Sequence, residues 1–96
     1  MIDKNKRKFG IVLRADGTVE TLYQDEFGLK QMKQIVGGYI EIVNLRKSKQ
    51  YMVVNEDGKL NGLPYNEMAT ALLILNGGSD DFIVGDVLIT DYCQIN

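Results

Sequence analysis

Two adjacent glycines, Gly37 and Gly38, stand where one hydrophobic period stops and another begins. Ahead of them Leu29, Met32, Ile35 and Val36 recur at helical spacing, with Lys30, Gln31, Lys33 and Gln34 between them. Behind them Tyr39, Glu41 and Val43 alternate with Ile40 and Ile42, the period of a strand. A chain that changes period across two residues must end a helix and turn sharply there. Gly37 can take the left-handed conformation that closes a helix, and Gly38 lets the chain reverse. Asp25 is the N-cap candidate, with Glu26 in the first turn, so the expected helix covers residues 25–36. Gly28 inside it costs about 1 kcal/mol against alanine, which argues for a later start.

The rest of the chain arranges itself around this joint. Lys8 to Arg14 alternates as a strand, Ala15-Asp16-Gly17-Thr18 is a hairpin turn, and Thr18 to Tyr23 returns. Tyr39 to Leu45 reads as the central strand. Arg46 to Lys49 is a polar turn, and Gln50 to Asn55 is the antiparallel partner. Glu56-Asp57-Gly58-Lys59 turns again, and Leu60 to Leu63 reads as a short strand ending at Pro64. Asn66 caps a second helix that runs to about Leu75 and stops at Asn76-Gly77-Gly78. Phe82 to Asp91 holds the last strand, with Gly85-Asp86 as a turn or bulge. The expected fold is α+β: a small, mostly antiparallel sheet of about five to six strands with two short helices. Residues 1–96 form one domain on this reading, with residues 1–7 as a flexible arm.

Charge is uneven. Residues 1–50 carry ten Lys or Arg against six Asp or Glu, and residues 51–96 carry one against seven. The halves are therefore net +4 and −6, an asymmetry that can favour head-to-tail contacts or a basic patch on one side, although two ordinarily solvated faces are the first reading. A core this small favours a homo-oligomer. The single cysteine, Cys93, excludes an internal disulfide and fits a reducing, cytoplasmic setting. Met1 to Lys8 is polar and basic, so no secretory leader is expected, and the longest apolar run, Ala71 to Leu75, cannot span a bilayer. With no histidine, the commonest general base and transition-metal ligand is missing. The expectation is a protein that is not an enzyme and needs no cofactor or metal.

Several residue groups merit weighing for binding. Tyr39, Glu41, Tyr51 and Asn55 are expected on matching faces of two paired strands, where a ring can stack on a base and a polar group can read its edge. The alternative is an ordinary cross-strand set. Tyr65 and Asn66 join a loop to a helix N-terminus, a place for a phosphate or ribose, although Asn66 reads first as a cap. Arg14, at a strand end, offers a phosphate contact or a solvated charge. The glycine pair runs from helix to strand, the reverse of a phosphate-binding loop. Asp80, Asp81, Asp86 and Asp91 lack the spacing of a calcium loop. Lys4, Lys6, Arg7 and Lys8 form a basic run without interleaved aromatics, so nucleic acid is not the expected partner.

Val36-Gly37-Gly38-Tyr39-Ile40-Glu41, Val54-Asn55-Glu56-Asp57-Gly58, Gly62-Leu63-Pro64-Tyr65-Asn66 and Gly85-Asp86-Val87-Leu88-Ile89 follow one another in this order. Together they resemble a family of small domains of unknown function found in phage and prophage genomes and in their hosts. The resemblance spans roughly residues 26–92. It implies a phage-associated protein of the host cytosol and assigns neither catalytic residues nor a ligand. By analogy of size and composition, the chain is similar to phage proteins that bind host immune signalling nucleotides and hold them uncleaved. The functional expectation is sequestration of a nucleotide-derived signal, cyclic or of ADP-ribose type. The alternative is a protein–protein interaction module that modulates a host protein directly.

Overall fold

Strands β1 (Gly10–Leu13) and β2 (Val19–Leu22) form the first hairpin, closed over Ala15, Asp16 and Gly17. Gly17 takes φ +91°, and Asp16 accepts from both the amide and the hydroxyl of Thr18. This is the three-residue hairpin loop with a left-handed last position. Helix α1 (Leu29–Val36), strand β3 (Ile40–Leu45), strand β4 (Gln50–Asn55), helix α2 (Glu67–Leu75) and strand β5 (Val87–Asp91) follow, and a single 3₁₀ turn covers Tyr92–Gln94. The structure, a computed structural model, describes residues 7–78 and 80–95. The arm expected over residues 1–7 lies, up to residue 6, outside the described residues. Arg7 is described, with its guanidinium 4.1 Å from the centre of the Tyr23 ring.

The five strands run in the order β2-β1-β5-β4-β3, every neighbouring pair antiparallel, so the fold is α+β. A helix covers each face. On one side Val12, Val53 and Leu88 meet Phe27, Met32 and Val36 from α1 and the segment before it. On the other, Met52, Val54, Val87 and Ile89 meet Ala69 and Leu73 of α2. Alternation within each strand sends successive side chains to these two cores.

Four expectations are corrected here. The central strand is β5, which lies between β1 and β4, while β3 is an edge. The first helix starts at Leu29, not Asp25. Phe27 donates its backbone N–H to Gln94 O at 2.7 Å and bridges Ile95, which holds this stretch extended. Its ring fills the space that Gly10 leaves open, where an added Cβ would lie 2.6 Å from the ring. Residues 60–63 are turns rather than a strand, since Asn61, Gly62 and Leu63 donate back to Asp57, Lys59 and Gly58. The last strand begins at Val87. The stretch just before it, from Phe82 to Asp86, makes an isolated antiparallel bridge, Tyr65 with Val84.

The glycine joint behaves as expected. Gly37 ends α1 at φ +79°, and its N–H bonds Lys33 O at 2.8 Å. Gly38 relieves crowding instead. A Cβ there would meet the Asn55 amide at 3.0 Å.

Candidate functional site

The four-residue turn between Leu45 and Gln50 sets the β3–β4 register, pairing Glu41 with Val54 and Asn44 with Tyr51. Odd positions of β3 thus share a face with even positions of β4. Glu41 and Tyr51 fall on opposite faces of the sheet, and the expected four-residue set does not assemble. Tyr51 is half-buried against Tyr92, with ring centres 4.6 Å apart, and Tyr92 Oη donates to Asn44 Oδ1 at 2.6 Å. Tyr39 precedes β3, is 67% exposed, and has Lys33 Nζ 4.8 Å from its ring centre.

The two asparagines are buried and engaged at both ends of their amides. Asn55 Nδ2 donates to Val36 O at 3.1 Å, and its Oδ1 accepts from the Asp57 amide at 2.9 Å. It ties the end of α1 to the end of β4. Asn66 caps α2, accepting from the Ala69 amide at 3.0 Å. Its Nδ2 donates to Leu13 O at 2.9 Å and to Gly85 O at 2.8 Å, which fastens the helix start to β1 and to the approach to β5. Arg14 is spent on an ion pair with Glu20 across the first hairpin, and that carboxylate raises the guanidinium pKa further. None of these three offers a free group in the geometry expected of it.

A concave site lies elsewhere along the β3 edge. Glu41 and Val43 form one wall, Glu56, Lys59 and Leu60 a second, and Asp81 and Phe82 a third, around about 150 Å³. The Asn66 amide donates to Ile83 O at 2.8 Å and the Gly85 amide to Pro64 O at 2.7 Å, on either side of the Tyr65–Val84 bridge. This short ladder fixes the Phe82 ring 6.3 Å from the Tyr65 ring, with both rings about half exposed. Lys59 pairs with Asp81, and its ammonium lies 4.4 Å from the centre of the Phe82 ring. Hydrogen bonding to Lys59, then to the Phe82 amide, holds the Asp81 carboxyl below the usual carboxylate range. Of the expected residues, Glu41 and the buried Asn55 line this cleft, whereas Arg14, Tyr39, Tyr51, Tyr65 and Asn66 do not; Tyr65 reaches it only through the neighbouring Phe82 ring. Phe82 and Lys59 are passed over in the sequence reading, which weighs Asp81 only as a cation ligand. The available signal was an aromatic residue directly after an Asp-Asp loop, where no core position calls for one.

The cleft holds three carboxylates and one ammonium beside the half-exposed Phe82 ring. It suits a flat ring bearing amino groups better than a dense polyanion. Among the described residues, no group of three or more His, Cys, Asp or Glu could hold a metal ion, and no helix is long and apolar enough to cross a membrane.

The family model for a domain of unknown function, DUF3846, matches residues 8–95. The chain belongs to the DUF3846 family. Searches of curated proteins and of solved structures found no match. The DUF3846 match runs from the residue before Phe9 to Ile95, so it takes in both hairpins, both helices and the cleft.

Proposed function

We propose that this DUF3846 chain is a non-enzymatic binding protein that holds a small nucleotide-type ligand at the Phe82 cleft. The observation that carries the reading is the half-exposed Tyr65–Phe82 pair beside Glu41, Glu56 and Lys59. A base can stack on Phe82, its amino edge can donate to Glu41 or Glu56, and Lys59 can exchange Asp81 for a phosphate oxygen. Together with the phage resemblance, this supports a role in the host cytosol, where the protein would sequester a nucleotide-derived immune signal and blunt anti-phage defence.

The test is incubation with a panel of cyclic and ADP-ribose-type nucleotides, then heat release and mass spectrometry. Intact ligand recovered after heating supports sequestration, and an altered product makes the protein an enzyme. No retention leaves the second reading, a module that modulates a host protein. That reading is favoured by the outer side of α2, where Ile74 and Leu75 are 51% and 72% exposed.

A further inference from the structure

Strand β3 closes one end of the sheet, and its outer edge has no strand beside it among the described residues. The ladder decides which of its backbone groups are free. Glu56 donates its N–H to Tyr39 O at 2.9 Å, so the odd-numbered residues of β3 bond to β4. Counting from the other end of the sheet, where Arg14 donates to Thr18 O at 2.9 Å, the alternation gives the same result. Ile40, Ile42 and Asn44 therefore present N–H and C=O outward.

Edge strands are ordinarily blunted by proline, lysine, a bulge or shortness. β3 has no proline, lysine or bulge, and its one charge is Glu41. It is six residues long, its register is unbroken, and Ile42 on it is 40% exposed. The other edge, β2, has four residues.

Charge says what fits this edge. The β3–β4 hairpin carries exposed Glu41, Glu56 and Asp57 toward its open end and exposed Arg46, Lys47 and Lys49 at its turn. A strand of the same charge pattern laid antiparallel sets each acidic end against a basic end. Laid parallel, it sets like against like. A twofold-related copy of β3 supplies the antiparallel arrangement.

We propose that β3 pairs edge to edge with β3 of a second copy, about a twofold axis near Val43, so that one sheet runs through both copies. Glu41 and Val43 also line the Phe82 cleft, and the partner strand borders it. The pairing does not rest on the ligand reading and is tested without ligand.

The experiment is sedimentation equilibrium at micromolar concentration on the parent, on Ile42→Pro, on Glu41→Lys, on Arg46→Glu with Lys47→Glu, and on all three charge changes combined. The Ile42 N–H points outward, so proline there removes no bond to β4 but blocks a neighbouring strand. The parent should be a dimer and Ile42→Pro a folded monomer. Each charge reversal should weaken the dimer by roughly tenfold, and the combined variant should regain it. A monomeric parent, or a dimer that Ile42→Pro leaves intact, overturns the proposal. If Ile42→Pro unfolds, the charge set decides alone, and a combined variant no tighter than the single reversals overturns it.

Discussion

Strands β5 and β3 are both apolar, yet they occupy opposite positions in the sheet. In β5, Val87, Leu88, Ile89 and Thr90 are all buried, because α1 presses on one face, α2 on the other, and a strand flanks each side. In β3 only Leu45 is buried, although Ile40, Ile42 and Val43 are as apolar as anything in β5. An unbroken Val-Leu-Ile run is the mark of a strand covered on both faces, and an interrupted one marks a half-covered strand. The difference is one of coverage: the centre is buried on both faces and flanked on both sides, and the edge leaves apolar side chains and backbone groups exposed.

The widest gap is expected between Leu88→Ala and Ile42→Ala. Leu88 is fully buried beside Phe27, and its truncation should cost about 2–5 kcal/mol. Ile42 is 40% exposed, and its truncation should cost less than about 1 kcal/mol in a monomeric background. Urea unfolding measures both. Equal losses would mean that β3 is as covered as β5.

Asn66→Ala comes next. It removes the α2 cap and takes one donor each from the buried Gly85 O and the part-buried Leu13 O, for a loss of about 1–3 kcal/mol. Phe82→Ala, by contrast, should leave the melting temperature nearly unchanged while weakening any nucleotide captured by the protein by about 1–3 kcal/mol in calorimetry. The reverse outcome, with Phe82 needed for folding and Asn66 dispensable, would exchange the roles assigned to the two.

Gly37→Val tests the entry to β3. Nothing lies within 4 Å of an added Cβ, so the cost comes from φ +79° alone and should be about 1–2 kcal/mol. An unchanged melting temperature would remove the left-handed cap.

The smallest effect is electrostatic. Asp81, beside Lys59, and Asp16, bonded by the hydroxyl and amide of Thr18, have carboxyls held below their ordinary range. A carboxylate depressed on folding stabilises above its unfolded-state pKa, and this contribution fades as pH falls through the folded value. Both are exposed, so only a slight loss of melting temperature is expected on acidification below the usual carboxylate pKa. Asp81→Asn should remove part of that slope. A variant with the parent's full slope would show that the ion pair contributes nothing.

Much of the fold was legible from local chemistry. The period change at Gly37-Gly38, the Asp-Gly hairpin and the Asn66 cap each depend on a few adjacent residues, and each is present. What depended on distant partners was harder to read. Whether β3 or β5 is central is decided by which strand β1 meets, and no local period records that. The opposite faces of Glu41 and Tyr51 could have been read. A four-residue turn between Leu45 and Gln50 makes paired positions add to an odd number, so odd positions on one strand face even ones on the other. Phe82 was passed over because the expected strand absorbed it, whereas the chain there is a loop leaning on Tyr65.

The contrast between centre and edge is tested most directly by residue-resolved amide hydrogen exchange across a range of protein concentrations. At high dilution, the amides of Ile40, Ile42 and Asn44 should exchange fast, while those of Glu41, Val43 and Leu45 and the whole of β5 stay protected. Raising the concentration should slow the three outward amides and leave the others as they were. Uniform exchange along β3 at every concentration would contradict both the free edge and its pairing with a second copy.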